Sequence, residues 1–107
     1  VLYAESKYRK EAAMFIITSV YLKPNEEVDV YIKAHREFLD AQYAKGLFLA
    51  SGRKVPRTGG VIFSKGSSRA EVEAVMAQDP FVINGCAKYD IVEFAPVKVA
   101  PGLEQLL

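Results

Sequence analysis

The chain of 107 residues holds one histidine, His35, and one cysteine, Cys86. With a single imidazole and a single thiol there is no Cys/His cluster at metal-ligand spacing and no internal disulfide, so neither a metal nor another cofactor is expected. What a lone imidazole can do near neutral pH is accept a proton and return it, as a general base. The second residue to explain is Asp79, in the run Ala77-Gln78-Asp79-Pro80-Phe81, where an amphipathic stretch stops at a carboxylate followed by proline. There the carboxylate meets the negative end of a helix macrodipole, and Pro80 turns Asp79 away from the α region. Two readings stay open: Asp79 caps a short turn that has Pro80 in its first position, or Asp79 serves a site. Capping ranks first on local grounds, because caps outnumber catalytic carboxylates. Ser51, at a strand end, can bind a substrate oxygen but carries no signature of a nucleophilic serine.

The elements that must position these groups follow from periodicity. Asn25 reads as the cap of a helix with Glu26, Glu27 and Asp29 near its positive end, closed by Lys45-Gly46. Val28, Ile32, His35, Leu39 and Gln42 form one stripe of that helix, flanked by Tyr31 and Phe38, so His35 faces the core. Lys33, Arg36, Glu37 and Asp40 fall on the solvated side. On periodicity alone His35 is a core-edge residue bonded to a carbonyl; Gln42, two turns on, points instead to a polar pocket. Ser68-Arg69-Ala70-Glu71 matches a capping box, and Val72, Val75 and Met76 give the inner face of a second helix, with Met76 in the core.

Met14 to Leu22 is rich in β-branched and aromatic residues, is apolar on both faces and ends at Lys23-Pro24, as expected of a central strand covered on both sides. Leu47–Gly52 and Gly60–Ser64 read as a hairpin around a basic loop that contains Arg53, Lys54, Pro56 and Arg57. A last strand runs from near Cys86 to Phe94, after the turn Asn84-Gly85. The order strand, helix, strand, strand, helix, strand gives an α+β, ferredoxin-like βαββαβ unit with an antiparallel sheet and both helices on one face. Its open apolar face predicts a homodimer through the sheet, burying roughly 1,600 Å² in total, with further assembly left open. Residues 1–13 are polar, precede Met14 as a natural start, and read as an extension outside the domain, with a short helix through Leu2, Tyr3 and Tyr8. The domain then spans 14–95 and an amphipathic tail 96–107. A net charge of +1 gathers no nucleic-acid footprint, and no apolar run reaches the roughly 20 residues of a membrane helix. A cytoplasmic protein with a small-molecule ligand is the expectation.

In this order and spacing, His35 after a Pro-containing turn, Lys45-Gly46-Leu47 leading to Ala50-Ser51-Gly52, the Gly59-Gly60 return and Asp79-Pro80-Phe81 resemble the YciI-like (YCII-related) family. These are small ferredoxin-like proteins of the dimeric α/β barrel type. The resemblance spans Met14 to about Phe94 and implies that His35 and Asp79 are a catalytic pair. It also implies chemistry such as dehydrochlorination or lactone handling on aromatic breakdown products. Many members carry Gly-Pro where this chain has Gly52-Arg53, which implies a more cationic loop.

An imidazole beside a carboxylate is a competent base for elimination, isomerisation or lactone chemistry on a small anionic or aromatic molecule. Arg53 can hold a carboxylate through two parallel hydrogen bonds, although a loop arginine is more often simply solvated. Tyr31 and Phe81 would wall the pocket; for Phe81 core packing ranks first. Two other classes fit the same fold: a binding module without turnover that acts as a homodimer, and a cofactorless monooxygenase.

Overall fold

The computed structural model describes residues 2–3 and 13–107. Within that span, β2 (Ala13–Tyr21), β3 (Phe48–Arg53), β4 (Gly60–Gly66) and β5 (Ala87–Phe94) form an antiparallel sheet in the order β3-β4-β2-β5. Counted among themselves, these strands run fourth, first, third, second from the β5 edge, which is the ferredoxin-like order. β2 is central, as its two apolar faces predict. A separate two-stranded pairing joins β1 (Leu2–Tyr3) to β6 (Lys98–Val99). The N-terminal segment expected as a helix therefore has a strand at Leu2–Tyr3, and its remainder, Tyr8 included, lies outside the described residues.

Helical segments occupy one side of the sheet. α1 (Asn25–Val28) passes through a 3₁₀ turn at Asp29–Tyr31 into α2 (Ile32–Ala44). Asn25 is not the cap: Pro24 holds that position with no side-chain bond, and Asn25 is the first helical residue. Gly46 ends the helix at φ +72°, the left-handed conformation that glycine adopts without penalty. α3 (Arg69–Met76) starts at Ser68, whose hydroxyl accepts from the Glu71 amide at 3.1 Å. The capping box is only half formed, because the Glu71 carboxylate takes the Ser67 hydroxyl instead. α4 (Pro80–Ile83) is a single turn.

Register places Ser51, Ile62, Ile17 and Ile91 in one row across the sheet, on the helix side. The main core lies between that side and the helices: Phe15, Ile17, Phe48, Ile62, Val72, Met76 and Ile91. A smaller cluster, Val28, Phe81, Cys86 and Ala87, fills the end where α1 and α4 meet β5. On the opposite face Val20, Phe63, Val92 and Phe94 stand exposed.

Candidate active site

Between the two clusters the α2 side and the sheet enclose a cavity of about 490 Å³. The stripe of α2 turns His35 into it, and Leu39 one turn on adds an apolar wall. Gln42 does not join them. It is buried elsewhere, with its Oε1 lacking a protein partner, so the polar pocket inferred from that pair rests on His35 alone.

Asp79 approaches His35 from the other direction: it caps the following turn, as ranked first, and the same carboxylate meets the imidazole. Its backbone is extended (φ −64°, ψ 124°), as a residue before proline prefers, and Pro80 takes the first helical position of α4. Oδ1 accepts the Phe81 amide at 3.0 Å, which is an N-cap. The same Oδ1 lies 2.8 Å from Nδ1 of His35. An ionised carboxylate only accepts, so Nδ1 carries the hydrogen and Nε2 is left with its lone pair. The two side chains are 17% and 6% exposed, so little water competes for this bond. Phe81 fixes the ring from its face: the His35 and Phe81 rings stack at 3.9 Å and 8°, and Tyr21 meets Phe81 edge-on at 5.9 Å. Phe81 is at once core, as expected, and cavity wall.

The mouth is built from charged side chains. Ser51 and Arg53 line it from β3, and Arg36 from α2. Arg36 is exposed, as its position on the helix predicts, yet it borders the cavity because it follows His35 directly. Arg57, in the loop between β3 and β4, donates to both carboxylate oxygens of Asp29, at 2.6 and 3.3 Å, and lies over the Tyr21 ring at 5.4 Å. That hydrogen bond holds the Asp29 carboxyl below its ordinary range and raises the Arg57 guanidinium. The loop is seated against β2: Tyr21 N donates to Thr58 O at 2.8 Å, and Gly60 N to Ser19 Oγ at 2.9 Å. Gly59 permits this approach, since a Cβ there would stand 1.8 Å from the Ser19 carbonyl oxygen. Arg36 and Arg53 remain as guanidinium groups with no ion pair among the described residues.

Of the six residues singled out from the sequence, the cavity brings together His35, Asp79, Ser51, Arg53 and Phe81. Tyr31 is not among its walls; it packs against the Val28–Cys86 cluster, although its neighbours Asp29 and Ile32 do line the cavity. Ser19, Tyr21, Asp29, Arg36 and Arg57 went unnoticed as site residues. Strand alternation puts Ser19 and Tyr21 on the same face as Ile17, which is a usable signal; the Asp29–Arg57 pair depends on a loop path that local sequence does not give. Among the described residues no three His, Cys, Asp or Glu side chains converge as metal ligands.

A ferredoxin-like α+β fold of the dimeric α/β barrel type, with an imidazole–carboxylate pair at the inner end of a cavity, defines the class. The chain belongs to the YCII-related domain family, whose family model matches residues 1–95. Two solved structures share the fold. One is 5-chloro-2-hydroxyhydroquinone dehydrochlorinase (TftG) from Burkholderia phenoliruptrix AC1100, in complex with 2,5-dihydroxybenzoquinone. Its TM-score is 0.58 at 20% identity, covering 77% of this chain and 91% of that one. The other is an antibiotic biosynthesis monooxygenase, with a TM-score of 0.56 at 20% identity, covering 79% and 99%. No curated protein sequence matches the chain. Among the described residues no helix is long and apolar enough to cross a membrane.

Proposed function

We propose that this protein is a small-molecule enzyme in which His35 acts as general base and Asp79 as its orienting carboxylate. The observation that carries the reading is the 2.8 Å bond between Nδ1 and Oδ1, which leaves Nε2 as the proton acceptor of a ring that lines the cavity. Asp79 fixes the tautomer and stabilises the imidazolium formed when the proton arrives. Among the described residues the ring is hydrogen-bonded to Asp79 and to no serine or cysteine, which favours proton abstraction or transfer: elimination, isomerisation or lactone chemistry. The guanidinium groups of Arg36 and Arg53 at the mouth favour an anionic substrate, and the Ile17, Ile62, Leu39 and Phe81 walls favour a planar apolar body. Dehydrochlorination, the activity for which the Burkholderia enzyme is named, is itself an elimination on an oxygenated ring. The functional unit in this reading is a homodimer that buries Val20, Phe63, Val92 and Phe94 between two open sheet faces.

The test is a screen of small lactones and halogenated aromatic acids against the wild type and His35→Ala. Turnover by the wild type, reduced about 10²- to 10⁴-fold in the variant, supports the reading. Turnover that survives His35→Ala contradicts it. A monooxygenase would instead consume oxygen with product formation.

A further inference from the structure

Ser51 lines the cavity, and its Oγ lies 2.7 Å from the Oη of Tyr43. Tyr43 itself is not a wall of the cavity. Its ring is solvent-exposed but rests edge-on against the buried Phe48, with centroids 6.2 Å apart at 90°, and from there its hydroxyl reaches Ser51. One hydrogen is shared between the two oxygens. If Ser51 gave that hydrogen, it would offer only lone pairs to the cavity. If Tyr43 gives it, the Ser51 hydrogen is released toward whatever the cavity holds. The phenol O–H is the more polarised donor, and a hydroxyl that already accepts a hydrogen bond becomes a stronger donor in turn.

We infer that Tyr43 is a positioning residue that makes Ser51 a hydrogen-bond donor to an oxyanion developing on the substrate. This rests on His35 being the base, and it names the substrate class: a carbonyl compound with an acidic C–H bond. The C–H bond breaks, its proton goes to Nε2 of His35, and the electron pair moves onto the carbonyl oxygen to give an enolate. Ser51 donates to that oxygen. The imidazolium then returns its proton to another carbon, completing an isomerisation, or the enolate expels a leaving group with its electron pair, completing an elimination. No bond to the protein forms, and nothing is oxidised or reduced.

The experiment uses two ligands of similar shape, 4-nitrophenolate as a stand-in for the enolate oxygen and 4-nitroanisole without the charge. Both are titrated calorimetrically into the wild type, Ser51→Ala, Tyr43→Phe and the double variant. Tyr43→Phe keeps the ring contact with Phe48, so folding is not at stake. The expected result is that the anisole binds all four alike, while the phenolate is weakened roughly tenfold by Ser51→Ala and roughly threefold by Tyr43→Phe. In the Ser51→Ala background the tyrosine change then adds nothing, because Tyr43 acts through Ser51. A neutral Tyr43→Phe, an additive double variant, or a wild type that prefers the anisole overturns the inference. Its failure is separable from failure of the base: a flat phenolate series with His35-dependent turnover refutes only the relay, whereas the expected series without His35-dependent turnover refutes the base, and with it the substrate class, but leaves the Tyr43–Ser51 relay standing.

Discussion

The inner end of the cavity and its mouth are built on different principles. At the inner end His35, Asp79 and Phe81 each touch the other two, and the Asp79 side chain is 6% exposed. At the mouth the Asp29 side chain of the Asp29–Arg57 pair is 50% exposed, and Ser51, Arg53 and Arg36 are open to solvent. Where water is excluded a charge interaction is strong and its geometry is fixed; where water is present it is screened, and partners exchange at little cost. In the proposed function the inner end supplies the base, while the mouth selects molecules by charge and lends only Ser51 to the reacting oxygen.

The largest effect expected is at the base. His35→Ala should lower kcat about 10²- to 10⁴-fold while costing about 2–4 kcal/mol in urea unfolding, for the lost stacking and the buried Asp79 carboxylate left without its partner. Next comes the packing that holds the ring. Phe81→Ala should destabilise the fold by about 3–5 kcal/mol, because a buried ring is deleted from the smaller core cluster. A loss under about 1 kcal/mol would mean that the inner end is no more rigid than the mouth. Asp79→Asn separates cap from chemistry: asparagine caps as well as aspartate, so stability should move by less than about 1 kcal/mol. With the charge gone, kcat should fall roughly 10- to 100-fold, the worth of one hydrogen bond to an ionised group. Equal activity would reduce Asp79 to a cap.

At the mouth the effects should shrink. Arg53→Ala should weaken an anionic ligand roughly three- to tenfold in equilibrium titration and leave unfolding unchanged. The smallest concerns the Asp29–Arg57 pair. Because its partner depresses the Asp29 carboxyl in the folded state, the unfolded chain binds more protons in the window between the two values. The stabilisation is therefore complete above the unfolded value and is lost as pH falls through the folded one. In Asp29→Asn that acid-side slope should disappear from stability–pH curves, by a small margin because the pair faces water.

Much of this arrangement is written in periodic features. The 3,4 spacing from Val28 to Gln42 turns His35 inward, and two apolar faces make β2 central, because burial of a regular element leaves a regular trace. Asp79-Pro80 announces a helix start, which proves compatible with a partner for His35: one oxygen serves both. Local sequence falls short where a contact depends on how distant segments meet. Gln42 shares the stripe with His35 but not the cavity, since two turns carry it past the opening. Tyr31 sits one turn before His35 and is claimed by the smaller cluster. Arg36 looks like solvated surface and is so, yet it also borders the mouth. Arg57 finds Asp29 only because Gly59 lets the loop lie against β2.

The most direct test of the His35–Asp79 pair is the tautomer of the single histidine, read from ¹⁵N–¹H long-range correlation spectra of the neutral ring. With one His in the chain the signals are unambiguous. The wild type should carry its hydrogen on Nδ1, leaving Nε2 bare to accept a proton, and Asp79→Ala should revert toward the Nε2–H form that a free side chain prefers. Nε2–H in the wild type would set a lone pair against the carboxylate and a donor into the cavity, and would contradict a base held by Asp79.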